Sequence, residues 1–167
     1  LYNMIGVNGA EFRHYSQSVY FFEQLEYLDP DFIIVSLGTN EGYYEEFSKE
    51  DFGKEVQLFF EKLKEFRVNA PTLITSPGDS YRRSGRKKIP NAHMIEINEV
   101  LREYSKNHDC ALWDLHAVMG GYRSMYQWCL NKLTARDKLH FNQSGYELQG
   151  RLLYDALMNA YRSYERE

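Results

Sequence analysis

The sequence has little of what marks several classes of protein. Its 167 residues include only two cysteines, Cys110 and Cys129, which do not fix the redox compartment, and we expect both to be buried thiols. No stretch approaches the roughly 20 apolar residues of a membrane span, and no signal peptide is present. The net charge is only −4, which gives no reason to expect a nucleic-acid or membrane partner. HExxH motifs and clustered histidines are also absent, so no metal or other cofactor is expected.

Repeats, low-complexity tracts and internal linkers are absent too. We therefore expect residues 1–167 to form one domain, a length that allows a real core. The chain begins with "LYNMIGVNGA" rather than with methionine. That stretch resembles the interior of a protein, so we expect a processed or truncated piece.

Apolar runs alternate with amphipathic runs along the chain. This order predicts a parallel sheet with helices on both faces. The predicted strands are residues 3–7, 31–38, 71–76 and 110–115. Predicted helices cover residues 17–28, the stretch after a capping box at Ser48 and Asp51, residues 92–108, residues 116–131 with a break near Gly120 and Gly121, and the stretch after a second capping box at Ser144 and Glu147. A polar loop of about 15 residues should follow the third strand, and a loop that long is usually functional or mobile.

Polar residues near the chain's end could form a catalytic pair. Asp137 and His140 are three residues apart, just before the last predicted helix. In a turn, the carboxylate can reach the imidazole Nδ1–H and leave Nε2 free as a general base. The spacing alone is weak evidence, because it also fits a surface ion pair at a helix start.

Two further positions follow predicted strands. Asn40 lies directly after the second strand, where its side-chain NH₂ could donate to a developing oxyanion, although an asparagine here could equally cap a loop. Gly9 follows the first strand, where it could let a backbone N–H approach the same oxygen or simply form a turn. In parallel sheets, functional residues gather after the carboxyl ends of strands, as these do.

The order of these blocks resembles the SGNH hydrolases, the GDSL-like lipase/acylhydrolase superfamily. "IGVNGA" is similar to the family's Gly block, "VSLGTNE" to its Asn block and "DKLHFNQSGY" to its His block. The resemblance implies a flavodoxin-like αβα fold, a catalytic Asp137–His140 pair and an oxyanion hole that includes Asn40 and Gly9. Family members usually have Asp after the Asn, whereas Glu41 stands here, which leaves the amide intact and questions only its local support.

A closer resemblance is to peptidoglycan O-acetylesterases and carbohydrate deacetylases, through residues 112–128 and the His block. It implies metal-free hydrolysis of an O-acetyl ester on a carbohydrate or peptidoglycan, in a periplasmic or secreted setting. Three alternatives stay open. They are a non-catalytic glycan-binding module, an acylhydrolase for another ester, and a metal-dependent hydrolase that uses Asp137, His140 and either His116 or His14.

The segment "SPGDSYRR" contains a Gly-Asp-Ser that looks like the family's nucleophile block. In the family, that block lies on the first strand, before the Gly block, whereas Ser80 follows the Asn block. We therefore expect Ser80 and Tyr81 to line the edge of the site rather than to supply the nucleophile. The neighbouring "RRSGRKK", residues 82–88, is either a solvated loop or a contact for an anionic polymer beside the site.

The nucleophilic serine is then expected outside these residues, together with the first strand of the fold. Family strand order places that strand between two of the strands predicted here. Burying unpaired backbone groups there would be costly. We expect the two flanking strands to close up, or a separate segment or neighbouring chain to fill the gap.

Overall fold

The computed structural model describes residues 1–66, 68–108 and 110–166. Its strands are β1 (Ile33–Val35), β2 (Thr72–Thr75), β3 (Tyr81–Ser84), β4 (Lys87–Pro90) and β5 (Ala111–Trp113). Its helices are α1 (Phe12–Ser16), α2 (Val19–Leu28), α3 (Lys49–Glu65), α4 (His93–Asn107), α5 (Leu115–Met119), α6 (Met125–Leu130) and α7 (Gln143–Tyr164), with a 3₁₀ turn at Glu41–Tyr43.

A parallel sheet of β1, β2 and β5, in that order, forms the middle layer. Side chains alternate between its faces, so Val35 and Ile74 pack into one core with helices α1 to α4. Leu73 and Trp113 point to the other face and pack with helices α5 to α7. The predicted three-layer α/β architecture is therefore confirmed.

Local signals placed some helix ends correctly and one wrongly. Ser48 caps α3 as predicted, since its side chain accepts a hydrogen bond from the Asp51 N–H. The predicted cap at Ser144 is wrong, because α7 begins two residues earlier. Asn142 has extended backbone and its side chain accepts from the Gly145 N–H at 3.0 Å. The predicted break near Gly120 and Gly121 is present, since α5 ends at Met119 and is followed by Gly120 with φ of 111°.

The sequence predicted an irregular loop for the polar stretch after β2, and this prediction is wrong. The stretch contains an antiparallel hairpin of β3 and β4, with Arg83 opposite Lys88. A two-residue turn joins the strands, and its first residue, Gly85, has a φ of 56°. Glycine adopts this left-handed conformation without the steric cost that a side chain would add.

The predicted first strand, residues 3–7, is wrong. These residues are exposed and irregular, and they end in a turn in which the Ala10 N–H donates to Val7 O. A strand needs a neighbour to pair with, and the expected closing up against β1 does not occur. Within the described residues β1 pairs with β2 alone, so its other edge is open.

The apolar surface near this open edge is incompletely covered. Ile34 lies on the same face as Leu73 but is 46% exposed. Helix α7 is also only partly buried: Leu152 packs into the core, whereas Tyr154 and Tyr161 lie in solvent. Cys110 and Cys129 are half-buried, not fully buried as expected.

None of the helices in the described ranges has the length and apolarity needed to cross a membrane.

Candidate functional site

Asp137 and His140 meet in the turn that leads into α7. Asp137 Oδ2 lies 2.8 Å from His140 Nδ1, and Asp137 Oδ1 accepts from the N–H groups of Leu139 and His140 at 2.9 and 3.0 Å. A backbone bond from Ala135 N to His140 O closes the same turn. The three-residue spacing therefore produces the contact that it predicted.

Charge in this turn favours one tautomer of the histidine. Desolvation raises the pKa of Asp137, but hydrogen bonds from the His140 ring and from two backbone amides outweigh it, and the pKa falls to about 2. An ionised Asp137 accepts a hydrogen bond from Nδ1–H, which leaves the lone pair on Nε2. Within the described residues Nε2 has no hydrogen-bond partner, and the His140 side chain is 58% exposed. The ring can thus accept a proton from a group that approaches from solvent.

Asn40 and the Gly9 turn are brought together as the block order predicted. Asn40 Nδ2 donates to Ala10 O at 2.8 Å. Gly9 has a φ of 76° in the turn from Val7 to Ala10, the conformation that glycine favours at this position of a type II turn. An amide nitrogen carries two hydrogens, so Asn40 keeps a second N–H for another acceptor.

Glu41, the residue that departs from the family pattern, connects this loop to the start of α1. Its Oε1 accepts from the Phe12 N–H at 2.9 Å, and its Oε2 is buried without a partner among the described residues. Burial raises the pKa of Glu41 to about 7, and the nearby carboxylates of Glu11 and Glu55 contribute. Sequence reasoning did not predict this burial, because Phe12 and Glu41 are 29 residues apart.

We expect Glu41 to make the folded protein less stable as pH rises. Below pH 4.5 the carboxyl is protonated whether the chain is folded or not, whereas between 4.5 and 7 only the folded state holds the proton. That range corresponds to about 3 kcal/mol of unfolding free energy lost, at about 1.4 kcal/mol per pKa unit. Glu41→Gln should remove this loss, because the amide keeps the acceptor and carries no charge.

Urea denaturation at pH 4.5 and pH 8 measures the effect. The control is Glu65→Gln, an exposed carboxylate at the end of α3. If the free energy of unfolding falls between pH 4.5 and pH 8 by the same amount in Glu41→Gln as in the parent, ionisation of Glu41 does not destabilise the folded protein.

Ser80 lies in the interior beside the site, and Tyr81 lies at its edge. Ser80 is 2% exposed, and its backbone O and its Oγ both accept from Asn91, at 2.9 and 3.5 Å. Asn91 also donates to Gly42 O at 2.9 Å, two residues beyond Asn40. Tyr81 N donates to Lys138 O at 2.9 Å, inside the Asp137–His140 turn. A chain of hydrogen bonds therefore connects the loop after β1 to the histidine turn through Asn91 and the start of β3.

The burial of Asp79 and His116 was not predicted from the sequence. Asp79 and His116 are 1% and 6% exposed, and within the described residues Asp79 Oδ1 and His116 Nε2 have no hydrogen-bond partner. Desolvation raises the pKa of Asp79 and lowers that of His116. The signal was available, since both residues follow strands of the sheet.

The alternative metal site is not assembled. Asp137 and His140 pair with each other, His116 is buried, and His14 is exposed on α1. In the part of the chain that the structure describes, no group of three or more His, Cys, Asp or Glu side chains is arranged to hold a metal ion.

Known structures share this fold. A peptidoglycan O-acetylesterase superposes with a TM-score of 0.84 at 24% identity, over 95% of this chain and 46% of that chain. An acetyl xylan esterase gives a TM-score of 0.68 at 17% identity, over 91% and 78% of the two chains. An acylhydrolase, titled putative, from Bacteroides fragilis gives 0.60 at 14% identity, over 87% and 72%. The chain thus spans less than half the length of the peptidoglycan O-acetylesterase that it matches.

Sequence comparison supplies the family. No curated protein matches the sequence significantly. A family model, described as the GDSL-like lipase/acylhydrolase family, matches residues 1–148. That match covers most of the chain and includes the Gly9 turn, Asn40 and the Asp137–His140 pair. The chain belongs to the GDSL-like lipase/acylhydrolase family.

Proposed function

We propose that the chain carries the histidine and oxyanion parts of a serine esterase that removes O-acetyl groups from a carbohydrate or peptidoglycan. The observation that carries the proposal is the Asp137–His140 pair, oriented at 2.8 Å in a family of acylhydrolases. The O-acetyl substrate is supported by two similar folds, a peptidoglycan O-acetylesterase and an acetyl xylan esterase. These similarities also motivate a periplasmic or secreted location.

In the proposed mechanism a serine hydroxyl attacks the acetyl carbonyl. His140 Nε2 takes the serine proton and delivers it to the sugar oxygen as the C–O bond breaks, while Asp137 stabilises the imidazolium. Water then attacks the acetyl-serine ester, with His140 again as base, and releases acetate. The second N–H of Asn40 and the backbone N–H of Gly9 donate to the oxyanion of both tetrahedral intermediates.

The nucleophilic serine is proposed to lie outside residues 1–167. Ser80 is poorly suited to the role, because its hydroxyl is buried against Asn91. The open edge of β1 offers a place for a further parallel strand, and Ile34 of β1 is 46% exposed. A serine at the carboxyl end of that strand would emerge at the rim where Asn40 follows β1. Either a separate segment of the same protein or a neighbouring chain could supply it.

An acetyl-ester assay tests whether Ser80 is the nucleophile. We expect no turnover of 4-nitrophenyl acetate above the buffer rate by the 167-residue chain or by Ser80→Ala, with unchanged circular dichroism in both. Activity in the parent that Ser80→Ala abolishes would make Ser80 the nucleophile and would overturn the assignment of an external serine.

A further inference from the structure

The hairpin of β3 and β4 carries a concentration of positive charge beside the proposed catalytic histidine. We call residues 81–90 the basic hairpin. It contains no acidic residue, although the whole chain has a net charge of −4. Its five cationic side chains are Arg82, Arg83, Arg86, Lys87 and Lys88.

Three contacts join the basic hairpin to the histidine turn. Tyr81 N donates to Lys138 O at 2.9 Å, and Lys88 Nζ donates to Arg136 O at 3.0 Å. Lys138 Nζ lies 4.7 Å from the centre of the Tyr81 ring, a cation–π contact. The positive side chains of Arg136 and Lys138 therefore extend the basic hairpin up to Asp137 and His140.

The charges of this surface are not neutralised within the fold. Arg83 and Lys88 lie directly opposite each other across the two strands, where like charges destabilise a hairpin. In the described part of the chain no carboxylate lies within 4.0 Å of a positive group of the basic hairpin, whereas Lys49, Lys54 and Arg102 all have such partners.

Arg82, also in this hairpin, is less exposed than Arg83. Nη1 of Arg82 is buried and has no hydrogen-bond partner among the described residues. Arginine donors match the two oxygens of a carboxylate. A carboxylate bound between Arg83 and Lys88 would relieve the repulsion between them, whereas Arg82, the preceding residue of β3, faces the other side of the hairpin.

We propose that the basic hairpin binds carboxylate groups of the glycan, so that the substrate is an acidic polysaccharide rather than a neutral one. This inference rests on the proposed function for the position of the acetyl group beside His140. Binding along the basic hairpin would hold an acidic chain with an acetylated sugar at the histidine, and would raise the local substrate concentration at low salt.

Isothermal titration of the 167-residue chain tests this without turnover. The ligands are pentagalacturonate, which carries five carboxylates, and neutral xylopentaose. We expect at least 10-fold tighter binding of pentagalacturonate, and at least 10-fold weakening of that binding in the Arg83→Gln/Lys88→Gln variant. The matched control removes two exposed positive charges on α3, Lys49→Gln/Lys54→Gln, and should bind like the parent.

Three results would overturn the inference. They are equal affinity for the two oligosaccharides, equal effects of the hairpin variant and the α3 control, and tighter binding of a single-stranded pentathymidylate, which would assign the surface to nucleic acid. Acetyl hydrolysis by a longer form of the protein is measured separately, so the two proposals fail independently. Absence of hydrolysis would contradict the esterase proposal but not the binding of an acidic glycan, and absence of preferential binding would contradict the acidic substrate but not the esterase mechanism.

Discussion

Replacing His140 with alanine is expected to lower kcat/KM for acetyl-ester hydrolysis by about 10³-fold to 10⁴-fold in a form of the protein that contains the nucleophilic serine. The physical reason is the geometry of the turn. The ionised Asp137 fixes the Nδ1–H tautomer at 2.8 Å, so Nε2 is the group available to take the serine proton. Alanine removes both the base and the imidazolium that Asp137 would stabilise.

Two companion variants make this result specific. Asp137→Asn should also cause a loss of about 10³-fold or more, because the amide neither holds the tautomer nor stabilises the imidazolium. His14→Ala should leave kcat/KM unchanged, since His14 is an exposed residue of α1 and not part of the turn. A His140→Ala enzyme with more than a tenth of the parental activity would remove His140 from the mechanism, and a strong effect of His14→Ala would favour another arrangement.

Gly145→Ala is expected to destabilise the fold by about 3 kcal/mol, near the upper end of overpacking costs. A Cβ at residue 145 would lie 2.0 Å from the backbone O of Leu133 and 2.8 Å from Phe141 Cβ. The obstacle is backbone, so it cannot rotate away as a flexible side chain would. The helix start must then shift, together with the histidine turn, which the Asn142 N–H ties to Leu133 O at 3.1 Å.

Gly150→Ala is the matched control in the same helix. No atom lies within 4 Å of a Cβ built at Gly150. Alanine there should stabilise the protein by about 0.5–1 kcal/mol through its better helix propensity. Guanidinium denaturation followed by far-UV circular dichroism gives both values. Equal changes in the two variants would show that α7 does not pack closely against Leu133.

Sequence patterns predicted the strands of the parallel sheet well. The continuous apolar runs around β1, β2 and β5 identified all three strands of the parallel sheet. The apolar run at residues 3–7 looked similar but forms no strand, because pairing depends on a neighbour that local sequence does not reveal. The basic hairpin, in contrast, forms two strands that the sequence did not predict, because they lack alternating apolar residues. Gly85 between them could have indicated the turn.

In the candidate site, too, the sequence predicted contacts between residues near each other in the chain but not contacts between distant residues. The Asp137–His140 contact spans three residues and could be predicted from spacing. Three features depend on contacts between residues far apart in the chain: the bond from Asn40 to Ala10, the burial of Glu41 against Phe12 and the enclosure of Ser80 by Asn91. The order of the blocks indicated that Gly9 and Asn40 share a rim, but the folded geometry was needed to show that Glu41 ties the same loop in place.

Covalent labelling with a fluorophosphonate tests the central claim most directly, because this probe reacts with serines that a neighbouring histidine activates. The 167-residue chain and a longer form of the protein would each be labelled and mapped by peptide mass spectrometry, beside His140→Ala. We predict no labelled serine in the shorter chain. In the longer form we predict one labelled serine outside residues 1–167, lost in His140→Ala. A label on Ser80, or labelling that persists without His140, would contradict the account.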